Sequence, residues 1–183
     1  MLEAVCNAAE HAKIGIGSSN KYNARNPFTP EETQEMIDVV LRPNFTNYEV
    51  VMVPDSGHLP GGEDGQQWAQ SVHALFGSLD AFVTGNPYVA KLLDQFYHTV
   101  HPADLIAKEN HVALRGTMVR VALAQGGHWK QMVPGPVADY LELKGLVERF
   151  RNEFGLVTLA SLVKQGIKSR ESLHEEQQHT YEV

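Results

Sequence analysis

The chain has 183 residues, 43% hydrophobic and 20% charged, ordinary proportions for one soluble globular domain with a substantial core. A formal net charge of −7 argues against a general nucleic-acid binder and leaves room only for a local basic pocket. Cys6 is the single cysteine, which excludes an intrachain disulfide and a cysteine metal cluster, and no apolar run approaches the roughly 20 residues that span a bilayer. The opening MLEAVCNAAEHAK has neither signal-peptide nor transit-peptide character, so the expectation is a cytoplasmic protein with no membrane or nucleic-acid partner.

In chain order, strands alternate with helices. KIGIG (Lys13 to Gly17), EVVMVP (Glu49 to Pro54) and DAFVTG (Asp80 to Gly85) are runs of β-branched or apolar residues bounded by turn signals, and each predicts a strand. Between the first two, Thr29-Pro30-Glu31-Glu32 is a capping box with proline at the first helical position. The helix it opens carries Met36, Ile37, Val40 and Leu41 on one face and stops before Pro43. A second helix is predicted from about Gly65 to Phe76, with Trp68, Val72 and Leu75 at helical spacing. Asn86-Pro87 opens a third, with Val89, Leu92, Leu93 and Phe96 inward. Strands separated by helices of this length predict a doubly wound α/β fold with a parallel sheet.

After Thr99 the pattern is less regular until RGTMVR (Arg115 to Arg120) opens a helix that Gly126-Gly127 closes. Two short helices should flank the Pro134-Gly135-Pro136 turn. LVTLASLVKQG is weakly amphipathic, and the last polar stretch, SRESLHEEQQHTYEV, predicts a mobile tail. Residues 1–154 are therefore expected as the domain and 155–183 as an extension, helical first and then mobile.

In an open parallel sheet, ligands bind beyond the carboxyl ends of the strands. Long loops follow the first two predicted strands, and Gly85-Asn86 follows the third. Gly85 allows close backbone approach, and Asn86 offers both donor and acceptor to a base or ribose. The plainer alternative is an asparagine N-cap with glycine before it. Trp68 stands equally between stacking on a flat ligand and packing in the core. The histidines, His58 among them, show no metal-ligand spacing on a shared face apart from His98 and His101 near a strand edge; all are expected to be surface or capping residues, and no protein metal site is predicted.

RGTMVR carries the most chemistry. Gly116 permits a tight approach, and the N–H groups of Gly116, Thr117 and Met118 are expected to be the free donors of a first helical turn, at the positive end of the helix dipole. Thr117 and Arg120, three apart, face the same way. Hydroxyl, amides and guanidinium converge on one spot that suits a polyphosphate. A capped helix with a surface arginine is the plainer alternative for this segment alone.

In this order, IGIGSSNKYNARNPFTPEETQEMI, VTGNPYV, RGTMVR and HWKQMVPGPVADYL resemble the archaeal-type nicotinamide-nucleotide adenylyltransferases of the nucleotidylyltransferase superfamily, from about Leu2 to about Phe154. The resemblance implies a Rossmann-like nucleotidylyltransferase fold and adenylyl transfer from ATP to nicotinamide mononucleotide, giving NAD and pyrophosphate, with magnesium accompanying ATP. The family's Ser-Gly-Thr-x-x-Arg signature falls on Arg115, Gly116, Thr117 and Arg120. It implies Thr117 and Arg120 at the reacting ATP phosphates, Gly85 and Asn86 near the adenosine, Trp68 on the nicotinamide ring, and Asn26 lining the same cleft. A homo-oligomer is expected.

The sequence departs from the pattern at three places. The family's opening strand, with a Gly-Arg-Phe-x-Pro-x-His-x-Gly-His segment, has no counterpart, because Met1-Leu2-Glu3 falls where the following helix is under way. The first strand is thus expected to be absent, which a displaced start codon or a shortened chain explains more simply than a purpose-built variant. Thr33 replaces an arginine and Arg115 replaces the signature serine. Two alternatives stay open: a nucleotide-binding but inactive homologue serving as sensor or partner subunit, and a nucleotidylyltransferase for another phosphorylated acceptor.

Overall fold

The computed structural model describes residues 1–55 and 64–162, so His58 and the polar tail lie outside the described residues. Close contacts divide the chain into two units: Met1–Tyr22 with Phe28–Ala113, and Asn23–Pro27 with the stretch from Leu114 on. The fold is α/β with parallel strands, as the alternating pattern predicts.

The first unit runs α1 (Leu2–Ala8), β1 (Ala12–Gly17), α2 (Pro30–Leu41), β2 (Tyr48–Val53), α3 (Asp64–Phe76), β3 (Phe82–Val83), α4 (Pro87–Leu93) and β4 (Thr99–Val100). β1 and β2 pair in parallel, Ala12 opposite Tyr48 and Gly17 opposite Val53. Side chains alternate between the faces of a strand. Accordingly Ala12, Ile14 and Tyr48 join Cys6, Ile37, Val40 and Leu41 in one apolar cluster. Val51 and Val53 join Ala69, Val72 and Phe76 of α3, with Leu93 and Tyr97, in another. Helices thus cover both faces of this pair. Gly15 makes the second face possible: a Cβ there would stand 2.9 Å from Phe76 Cζ. Lys13 reaches from β1 to cap the end of α3, its Nζ donating to Phe76 O at 3.1 Å.

The capping box forms as read. Glu32 N–H donates to Thr29 Oγ1 at 3.2 Å, and Thr29 N–H donates to Glu32 Oε2 at 2.9 Å. Further along α2, buried Asp38 accepts from Tyr48 Oη at 2.6 Å and from Arg42 Nη2 at 2.7 Å. A carboxylate taken out of water needs such donors.

The parallel strands are two separate pairs among the described residues, not one sheet. In the second pair Phe82 lies opposite Thr99 and Val83 opposite Val100. β3 is shorter than the span Asp80 to Gly85, and β4 has no counterpart in the sequence reading, since two residues carry no periodicity. Leu75, expected on the inner face of α3, is 45% exposed. The inner stripe is Trp68, Ala69, Val72 and Phe76, one position around the helix.

The second unit holds α5 (Gly116–Gln125), α6 (Gly135–Leu143) and α7 (Leu146–Phe150), with a 3₁₀ turn Trp129–Met132 before α6 and a π-helical turn Arg151–Gly155 after α7. Leu123, Trp129, Tyr140, Leu141, Leu146, Val147 and Phe150 are among its buried hydrophobic side chains. α5 ends as its sequence predicts: Gly126 takes the left-handed conformation (φ 70°) at the C-cap. Arg151 Nε donates to Leu123 O at 2.8 Å, which brings a cation to the negative end of that helix.

Candidate nucleotide site

The N-terminus of α5 has the geometry that RGTMVR predicts, with one correction. Arg120 Nη2 donates to Thr117 Oγ1 at 3.1 Å, so the two side chains do meet. A Cβ at Gly116 would stand 3.2 Å from Arg120 Nη1. The bare glycine therefore gives the guanidinium its place against the first turn. Met118 N–H is not a free donor: it bonds Arg115 O at 2.8 Å, because the turn opens with a tight i to i+3 bond. Among the described residues, the N–H groups of Gly116 and Thr117 are the ones left for a ligand. Arg115 is the exposed N-cap residue with no side-chain cap bond, and the first turn holds no acidic residue to compete with an anion.

A third cation belongs to this corner. Asn23 folds the short segment 23–27 into a closed turn: its Oδ1 accepts from Arg25 N–H at 2.9 Å and Asn26 N–H at 3.1 Å. Asn23 N–H bonds Asn26 O at 3.1 Å, and Arg149 Nη2 donates to Pro27 O at 3.3 Å. The turn is thereby tied into the second unit. Burial first, and then the neighbouring Arg25 guanidinium, pushes the Arg120 pKa down from its ordinary value. Among the described residues neither guanidinium has an ion-pair partner. Two like charges held close without a carboxylate leave an anion as the group that relieves them. The sequence reading named Asn26, for the acceptor cleft, and did not name Arg25 in the same ARNPFT motif.

In the first unit, Gly85 and Asn86 are exposed just past β3. Asn86 is the N-cap of α4, its Oδ1 accepting from Tyr88 N–H at 3.0 Å. That bond takes one of the two lone pairs of the acceptor that the sequence offered to a base or ribose. Trp68 is partly buried against the cluster of Val53, Val72 and Phe76. A clamp that the sequence did not reveal joins the ends of β1 and β2: Asn20 Nδ2 donates to Asp55 O at 2.8 Å, and Asp55 N–H donates back to Asn20 Oδ1 at 2.8 Å. Ser18, the residue after β1, carries a positive φ of 54°, uncommon for a non-glycine residue. Among the described residues no group of three or more His, Cys, Asp or Glu side chains could hold a metal.

The chain is α/β with parallel strands and a helix start that carries arginines and no carboxylate, and comparison with known proteins narrows the class. No protein-family model matches the chain. It is 30% identical over 152 residues to the nicotinamide-nucleotide adenylyltransferase of Thermococcus onnurineus, covering 82% of this chain and 77% of that protein. Identity to the Thermococcus kodakarensis protein of the same name is 31% over 153 residues, covering 82% and 77%. The Thermoplasma volcanium enzyme is 31% identical over 136 residues, covering 73% and 71%. This is a nucleotidyltransferase. The chain belongs to the nicotinamide-nucleotide adenylyltransferase family.

Proposed function

We propose that the chain transfers the adenylyl group of ATP to the phosphate of nicotinamide mononucleotide, releasing pyrophosphate and forming NAD. The observation that carries this reading is the Thr117–Arg120 pair at the open N-terminus of α5, in a chain about 30% identical to enzymes named for the reaction. A mononucleotide phosphate oxygen attacks the α-phosphorus in line, a P–O bond to the acceptor forms, and the bond to the β-phosphate oxygen breaks. The protein supplies position and charge. Gly116 and Thr117 amides, the Thr117 hydroxyl and Arg120 hold the departing phosphates, with Arg25 and Arg115 adding positive charge. Magnesium carried in on ATP supplies further neutralisation of the phosphate oxygens, which fits a corner whose first helical turn has no carboxylate. Gly85 and Asn86 are the proposed adenosine contacts, and Trp68 and Asn26 the proposed contacts of the acceptor.

The two parallel pairs support a finer reading of the fold, as halves of a doubly wound sheet. In that reading the strand between them is the histidine-bearing one, whose pattern does not occur in these 183 residues. Residues 1–154 would form the transferase domain and 155–183 its extension. The test is a coupled NAD-formation assay with ATP, nicotinamide mononucleotide and magnesium. It is run on this chain and on the chain with a GRFxPxHxGH segment joined ahead of Met1. The longer protein should be faster by ~10²-fold or more, since one preorganised donor at such a centre typically contributes ~10²–10³. ATP binding without NAD formation at either length would overturn the proposed reaction in favour of nucleotide binding alone.

A further inference from the structure

β3 and β4 run parallel, so both chains leave the sheet at the same end, where ligands of open parallel sheets bind. His101 is the first residue after β4, and Gly85 lies just past β3. The His101 ring is exposed and fixed. Ala103 N–H donates to its Nδ1 at 3.2 Å, so in the neutral ring the proton sits on Nε2. The turn that presents Ala103, Pro102–Leu105, is braced by His111, whose Nε2 lies 3.1 Å from Ala103 O and 2.9 Å from Ile106 O. His101 Nε2 stands 3.6 Å from where a Cβ of residue 85 would be, with Pro102 Cγ at 3.4 Å from that same point. Glycine at 85 therefore leaves the Nε2–H uncovered, and any side chain there would lie against it. Nothing among the described residues accepts this proton.

We propose that His101 reads the base of the bound nucleotide, its Nε2–H donating to a ring nitrogen of adenine seated at the Gly85–Asn86 turn. The inference rests on the adenylyltransferase reading above, and it adds a donor beside Asn86, whose Oδ1 can only accept. Adenine suits the donor, because N1, N3 and N7 of its ring all carry lone pairs and no hydrogen. The fixed tautomer means that the donor is aimed before the ligand arrives, so little ordering is lost on binding.

Two measurements on the full chain test it. Imidazole nitrogen NMR should show His101 with the proton on Nε2 before ligand, and ATP should shift that signal. Titration calorimetry with magnesium-ATP, at a temperature where both proteins are folded, should show His101→Ala binding roughly two- to tenfold more weakly, the range of one neutral hydrogen bond, beside the small fall in melting temperature that loss of the cap on Ala103 N–H brings. His101→Gln, which keeps an N–H donor, should recover part of the loss. One of 1-deaza-, 3-deaza- and 7-deaza-ATP should bind the native protein more weakly by the same factor, with no further loss in His101→Ala. Native protein that binds ATP as tightly as His101→Ala does, or an Nδ1-protonated ring, would overturn the assignment to His101 alone. Native protein that binds no ATP would overturn the adenylyltransferase reading, and this inference with it.

Discussion

Replacing Arg120 by alanine should separate ligand binding from stability. Among the described residues the Arg120 guanidinium makes one hydrogen bond, to the exposed Thr117 hydroxyl at 3.1 Å. It has no ion-pair partner among the described residues, and burial together with Arg25 disfavours its charge. Arginine stays protonated at every accessible pH, so that disfavour is a standing cost to the folded state, and removing the side chain relieves it. The unliganded variant should therefore lie within about 0.5 kcal/mol of the native protein, as surface substitutions do. With ATP the balance reverses. Loss of a hydrogen bond to a charged phosphate costs about 1.5–3 kcal/mol. At 1.4 kcal/mol per factor of ten this is roughly a ten- to hundredfold rise in Kd. Calorimetry and thermal unfolding on the same preparation read both quantities. Unchanged ATP affinity would refute the phosphate assignment, and an equal fall in stability would show a structural arginine instead.

Trp68→Phe should keep the packing against Val53 and Val72 yet weaken nicotinamide mononucleotide binding and leave ATP binding unchanged. In a Trp129→Phe background, saturable quenching of Trp68 fluorescence by the mononucleotide reads the same contact, and a flat titration speaks against it. Thr29→Ala removes the hydroxyl that accepts from Glu32 N–H, leaves the Thr29 N–H bond to Glu32 in place, and should cost about 1 kcal/mol in urea unfolding, the usual cost of an N-cap. Above about pH 10 stability should fall. Burial raises the Tyr97 pKa above the ordinary 10.0, and burial, then the hydrogen bond to Asp38, raises that of Tyr48. A group whose folded pKa is raised contributes its stability in full below the unfolded value and loses it as pH rises through the folded one. Melting temperature against pH, with tyrosinate absorbance alongside, should show two tyrosines ionising only as the fold opens. Free titration of both near pH 10 in the folded protein would contradict this.

Local chemistry determined much of what the sequence revealed. The Thr29 capping box, the Pro30 start, the Gly126 stop and the Thr117–Arg120 meeting depend on residues within four positions of one another, and all four formed as read. The same holds for β1 and β2, whose apolar runs are long enough to show their period. β4 escaped because two residues have no period, and the Leu75 error followed from a stripe set by what packs on α3 rather than by spacing alone. Contacts between distant residues were decided by the tertiary structure. Arg25 and Arg120 are far apart in sequence, and only the folded Asn23–Asn26 turn, tied through Pro27 to Arg149, brings their charges near. His101 reads as a surface histidine until β3 and β4 pair and set its Nε2 beside Gly85. A motif records what neighbours in the chain can do, whereas the charge or donor a ligand meets depends on which loops the sheet and helices bring to one end.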